Sequence, residues 1–199
     1  LSVRDACKSS TDECACLGNM RLEILTGTDT SDEVEVGLPD GVDNRLPKLL
    51  QYLAAETPAA GWDQFLDADG AVVWQHVLLS GHAQGGGHVA LLAQRYEVAR
   101  AVFFSSPADT CTRDGVNSLP DWAQWARKTP SDRLFGLSHL KEEGRENHQL
   151  HWDNFDMAGG GCLVHVDSSY PPFDDAQILV TDIDPAILGG VVARLGTTV

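Results

Sequence analysis

Apolar residues along this chain come in short runs separated by glycine-rich or polar stretches. The clearest run covers residues 72–80, where Val73, Val77, Leu78 and Leu79 predict a buried strand. Glycines at 81, 85, 86 and 87 follow, and then residues 89–93, a helix of small and apolar side chains. Residues 99–105 and 133–138 predict two more strands, and 162–166 and 178–181 two further ones. A helix is predicted over 40–55, with Leu46, Leu49, Leu50 and Leu53 at helical spacing and Asp40 or Asp43 as its cap. Pro58 and Gly61 break that pattern, and 67–70 (Asp-Ala-Asp-Gly) reads as a plain turn, because the later ligands of a calcium loop are missing. A short helix over 122–127 and a polar helix over 143–155 complete the set. Strands alternating with helices predict an α/β fold, a mostly parallel sheet flanked by helical crossovers. The polar, cysteine-rich opening, with one apolar stretch at 22–25, predicts loop, turn and at most a short helix. The chain reads as one domain over 1–199, with a lead segment 1–33 and a core 34–199.

Charge narrows the partners. Fourteen basic against 29 acidic residues leave a formal charge of −15. A polyanion repels phosphate backbones, which excludes nucleic acid as an expected partner, and anionic membrane surfaces for the same reason. No apolar run approaches the roughly 18 residues of a membrane span. The chain opens on Leu1 without a signal-peptide pattern, so it reads as a mature piece or a truncated segment. Cys7, Cys14 and Cys16 cluster, while Cys111 and Cys162 stand apart. No partner follows at zinc-finger spacing, so no metal is expected there. A local disulfide of Cys7 with Cys14 or with Cys16 is the expectation, and either would suit an oxidising, extracytoplasmic compartment.

The segment 78–88, Leu-Leu-Ser-Gly-His-Ala-Gln-Gly-Gly-Gly-His, joins a predicted strand to a predicted helix. It follows the nucleophile-elbow pattern G-x-S-x-G with Ala83 at its centre. Such a turn needs small neighbours, here Gly81, Gly85 and Gly86, and its helix start offers free backbone N–H groups, that of Gln84 first. A P-loop lysine is absent and the glycine spacing does not suit a dinucleotide fingerprint, so no cofactor is expected. Gly-His-Ala-Gln-Gly-Gly resembles the Gly-His-Ser-Gln-Gly-Gly core of the α/β-hydrolases, the esterase and lipase superfamily. The likeness continues through Phe-Phe-Ser-Ser-Pro-Ala-Asp109 to Arg-Leu-Phe-Gly-Leu-Ser-His139 and covers roughly residues 34–185.

This resemblance implies a serine nucleophile, then an acid, then a histidine in chain order. Ala83 has neither proton nor lone pair to give, so covalent catalysis is lost at that position. Glu142, with Glu143 beside it, and Asp109 are the acid candidates. No histidine occurs after His165, and Leu188 stands where related hydrolases carry theirs. His82 flanks the elbow and is expected to line the pocket, while His165 reads as a buried strand histidine. Trp122, Trp125 and Trp152 read first as packing residues, with a lid or partner surface as the alternative. The family also precedes its elbow with strands and an oxyanion turn that this chain does not display. A protein partner, or a segment upstream, would therefore complete the sheet. Together these features predict a catalytically inactive hydrolase homologue acting as a structural or accessory subunit. The alternatives are a serine esterase whose elbow serine has been deliberately replaced, leaving Ala83, or a binder using the old pocket.

Overall fold

The computed structural model describes residues 2–157 and 163–184. Its centre is a sheet of five parallel strands: β1 (Leu78–His82), β2 (Arg100–Phe104), β5 (Leu134–His139), β7 (Ile178–Thr181) and β6 (Val164–His165), in that spatial order. A small antiparallel hairpin, β3 (Cys111–Arg113) with β4 (Val116–Ser118), lies outside it. Among the described residues five α-helices accompany the strands: α1 (Val3–Cys7), α2 (Glu13–Thr26), α3 (Val42–Glu56), α4 (Gln84–Arg95) and α5 (Arg145–Asn154). The alternation of strand and helix is the one the apolar runs predict, and the α/β class follows from it. No helix among the described residues is long and apolar enough to cross a membrane.

Local differences from the sequence reading have physical causes. The first predicted strand begins late: residues 74–76 form a 3-10 turn, because Trp74 turns aside to stack on Tyr96 at 4.2 Å. The predicted short helix over 122–127 is a 3-10 turn at Asp121–Gln124. Helix α3 is capped by Gly41, not by Asp40 or Asp43, and Asp43 instead pairs with Arg95 at 3.3 Å. Of its apolar stripe only Leu50 is buried, while Leu49 is half exposed. The turn at 67–70 is fixed by Asp67, whose Oδ1 accepts the N–H groups of Asp69 and Ala71. Trp122 and Trp152 are buried in the core, and Trp125 stays partly exposed.

The largest correction concerns the lead segment. Residues expected as loop form α1 and α2, with Val3, Cys7, Leu17, Met20 and Leu25 almost inaccessible to solvent. Asp12 caps α2 by accepting from Ala15 N–H, and Gly27 at φ 71° ends it. Helix α2 shows no apolar stripe because it is enclosed on most sides and its buried set includes Arg21 and Glu23. Glu23 accepts backbone N–H groups from Thr30, Ser31 and Val36, which fixes the following loop. Two disulfides fasten the segment: Cys7–Cys16, one of the two expected pairings, and Cys14–Cys111, which the local clustering of cysteines conceals. The second ties α2 to the hairpin.

Arg21 anchors α2 most deeply. Its Nε and Nη2 donate to the two carboxylate oxygens of Asp109 at 2.6 and 2.7 Å, and its Nη1 donates to the Gln84 carbonyl at 2.9 Å. Gly87 makes room for it, since a Cβ there would lie 2.3 Å from the guanidinium carbon.

Two stability outcomes follow from these anchors. Loop closure in the unfolded chain makes Cys14–Cys111, with a separation of 97 residues, the stronger staple. Replacing that pair by alanines should cost about 4–5 kcal/mol, against about 2–3 kcal/mol for the pair Cys7 and Cys16, in urea unfolding followed by tryptophan fluorescence. The single change Arg21→Met, which strands the Asp109 charge, should cost about 3–5 kcal/mol, and adding Asp109→Leu should recover much of it. A loss below about 1 kcal/mol for Arg21→Met would show that the pair does not anchor the helix.

Candidate functional site

The C-terminal ends of parallel strands are where α/β sheets place ligands, and β1 runs there into α4 through one residue. That residue is Ala83, at φ 49° and ψ −118°. A side chain with a Cβ avoids this conformation, which costs on the order of 1–3 kcal/mol and persists only where the surroundings enforce it. They do so here. Ala83 N–H donates to the Phe104 carbonyl at 3.1 Å, and Gly86 N–H donates to the Ala83 carbonyl at 3.1 Å. The crossing is tight enough that a Cβ on Gly81 would lie 2.6 Å from the backbone of Gly85, and one on Gly86 would collide with Ser106 Oγ. Gly85 has open space around its Cα. A strained turn therefore joins β1 to α4, with a methyl group at its apex.

Around this apex the expected residues separate. Gln84 opens α4, so its N–H is among those that the helix itself leaves without an acceptor. Its side-chain oxygen accepts Val3 N–H at 3.1 Å, so the lead segment lies against the elbow. His82 closes β1, half-buried, and its ring makes no hydrogen bond among the described residues. Asp109 is fully committed: Arg21 takes both carboxylate oxygens, and Trp122 Nε1 adds a third bond at 3.1 Å. Burial pushes its carboxyl up, but Arg21 outweighs this and holds it below the usual range. It braces the fold and has no free oxygen with which to orient a base. Glu142 follows β5, the second strand from β1, and lines an open groove of about 490 Å³ along α5 with Leu140, Arg145 and Gln149.

One neighbour escapes the sequence reading. Ser105 succeeds β2 in register beside Ala83 and also has a positive φ, 49°. Its Oγ donates to Glu142 Oε2 at 2.7 Å, so the hydroxyl stands between the elbow and the acid. The only signal available was its place in Phe-Phe-Ser-Ser-Pro directly after a strand. Among the described residues no hydroxyl or thiol is hydrogen-bonded to a histidine. His139 is fixed between the Ile183 carbonyl and Lys141 N–H. His165, expected inside the sheet, sits on its outermost strand β6 and is not buried. At ~4.8 Å per strand it lies roughly 19 Å from β1, too far to serve Ala83. Leu188 and Cys162 lie outside the described residues. The arrangement can hold an anion or a carbonyl oxygen at the start of α4, and it offers Glu142 as an acceptor, but it presents no nucleophile with a base.

Three histidines are withdrawn from solvent, His148 and His151 fully and His88 in part. His88 sits on α4, and His148 and His151 on α5. His151 Nε2 bonds the Asp109 carbonyl at 2.7 Å, and the Nδ1 atoms of all three lack partners among the described residues. Burial, with Arg21 adding to it at His88 and His151, pushes all three down to about 4.

No family model, no curated protein and no solved structure matches this chain.

The histidines set an acid limit on stability. Their folded values, about 4, lie below the unfolded value near 6.5, so the unfolded chain binds more protons in between. Stability should be nearly constant above pH 7 and fall as pH drops from 6.5 towards 4, each histidine contributing about 1.4 kcal/mol per pH unit. Urea midpoints measured across this window should show the slope, and His88→Leu should flatten it by about a third. A slope that His88→Leu leaves unchanged would remove His88 from the account.

Proposed function

We propose that this chain is a catalytically inactive homologue of the α/β-hydrolases, serving as a structural or accessory subunit. The observation that carries the reading is Ala83 at φ 49° and ψ −118°, between a parallel strand and a helix start. That geometry serves a hydrolase by exposing a nucleophile beside free N–H groups, and alanine supplies none. Three further observations support it. Glu142 follows a strand two places from the elbow, as an acid of that lineage would, yet it is engaged by Ser105. Among the described residues no histidine ring is hydrogen-bonded to the side chain of Ser105 or of Glu142. The outer edge of β1 pairs with no strand among the described residues, and such an edge is a template for a partner chain or for further residues of the same protein. The two disulfides support residence in an oxidising compartment.

A second reading has one observation in its favour. The strain at position 83 persists although a methyl group gains nothing from it, as it would in an active serine esterase with alanine substituted at its nucleophile. Restoring the hydroxyl decides between the two. Ala83→Ser should leave the thermal midpoint within a few degrees and hydrolyse short-chain nitrophenyl esters no faster than the parent chain. A complete triad would instead raise the rate by on the order of a million-fold, and turnover approaching that would overturn the inactive reading.

A further inference from the structure

Strands β6 and β7 end side by side at the rim of the sheet farthest from the elbow. Their register sets His165 beside Val180, and just past the strand ends Asp182 N–H donates to Asp167 Oδ2 at 2.9 Å, which sets the two aspartates side by side. Like charges placed level on neighbouring strands repel one another. The chain as a whole carries −15, and among the described residues no Lys or Arg forms an ion pair with either carboxylate. The side chain grouped with them is that of His165, the last residue of β6, two positions before Asp167 in the turn that follows. One potential ligand atom from each of the three lies within 4.8 Å of the other two, and no other His, Cys, Asp or Glu trio among the described residues does so.

We propose that His165, Asp167 and Asp182 form a binding site for a divalent transition-metal ion of the zinc type. One imidazole nitrogen with two carboxylate oxygens is a donor set for Zn²⁺, Co²⁺ or Mn²⁺, whereas Ca²⁺ and Mg²⁺ select oxygen alone. At metal–ligand distances of about 2.0–2.2 Å the three atoms would draw together to roughly 3.4 Å, a rotamer-scale adjustment for accessible side chains. Asp167 is already aimed. Thr181 Oγ1 donates to its Oδ1 at 2.8 Å, and Asp182 N–H donates to its Oδ2 at 2.9 Å, which orients the carboxylate while leaving a lone pair on each oxygen. Three protein ligands leave a fourth position to water, the open form of a zinc site. The ion would relieve the Asp167–Asp182 repulsion and clamp the two outermost strands. This site stands apart from the elbow and does not depend on the reading given to Ala83.

The test titrates the whole chain with ZnCl2 by calorimetry and with CoCl2 by visible absorption, then repeats both on variants. One Zn²⁺ per chain is expected, with visible cobalt bands of the intensity of a four-coordinate site that His165→Ala weakens. His165→Ala, Asp167→Asn and Asp182→Asn should each weaken binding by more than about tenfold, and Thr181→Val, which only orients Asp167, by about tenfold. All four positions lie at the rim, and unchanged thermal midpoints of the metal-free variants would show that they fold. Excess Ca²⁺ or Mg²⁺ should not displace the zinc. The proposal is overturned by an absence of stoichiometric uptake, by uptake that His165→Ala leaves intact, or by displacement with Ca²⁺, since each would indicate only an adventitious ion on an acidic surface.

Discussion

Arg21 holds three parts of this protein in one place. Its guanidinium is buried and bonds both oxygens of Asp109 in the loop after β2, together with the carbonyl of Gln84 at the head of α4. A charge in that position is tolerable because each guanidinium nitrogen has an acceptor and a carboxylate faces it, whereas the desolvation of an unmatched ion exceeds what packing returns. The arrangement therefore makes α2, the elbow and the post-β2 loop mutually dependent. Trp122 and His151 close the shell around it, one by bonding the Asp109 carboxylate and the other by bonding its carbonyl. A segment that looks detachable by composition is thereby built into the floor of the candidate site.

The two positive-φ residues at the ends of β1 and β2 belong to the same construction. Ala83 and Ser105 are neighbours across the sheet, and each is held by ladder bonds from the adjacent strand. Strain of this kind persists where the surroundings over-determine it, and it marks places where the backbone is arranged to present something. At 83 the presented group is a methyl, and at 105 it is a hydroxyl given over to Glu142. The inactive reading rests on this contrast, a backbone arranged as if to present a side chain and a methyl group at its apex. The other end of the sheet shows the reverse arrangement, with ligand-type side chains gathered without a strained backbone beneath them.

Much of the sheet and its elbow was legible in the chain. Short apolar runs gave β2, β5 and β7 to within a few residues and β1 with a start six residues early, since strand residues facing a core are apolar wherever they fall in the chain. Glycines at 81 and 86 announced a close crossing because only a missing Cβ permits it. The nature of position 83 was equally plain, since the chemistry of a methyl group does not depend on the fold.

Other features required three dimensions. Helix α2 is buried through cysteine, arginine and glutamate, residues whose burial depends on partners that lie far away in sequence, so no periodicity reveals it. The pairing of Cys14 with Cys111, the choice of Arg21 as the partner of Asp109, and the contact of Ser105 with Glu142 join residues between 37 and 97 positions apart. Sequence by itself determined the α/β class, the sharp turn and the methyl group at position 83, because these rest on local backbone sterics and side-chain identity. Tertiary structure alone decided which acid braces the fold and which faces the site, because a carboxylate takes its role from the charges and donors that folding brings to it.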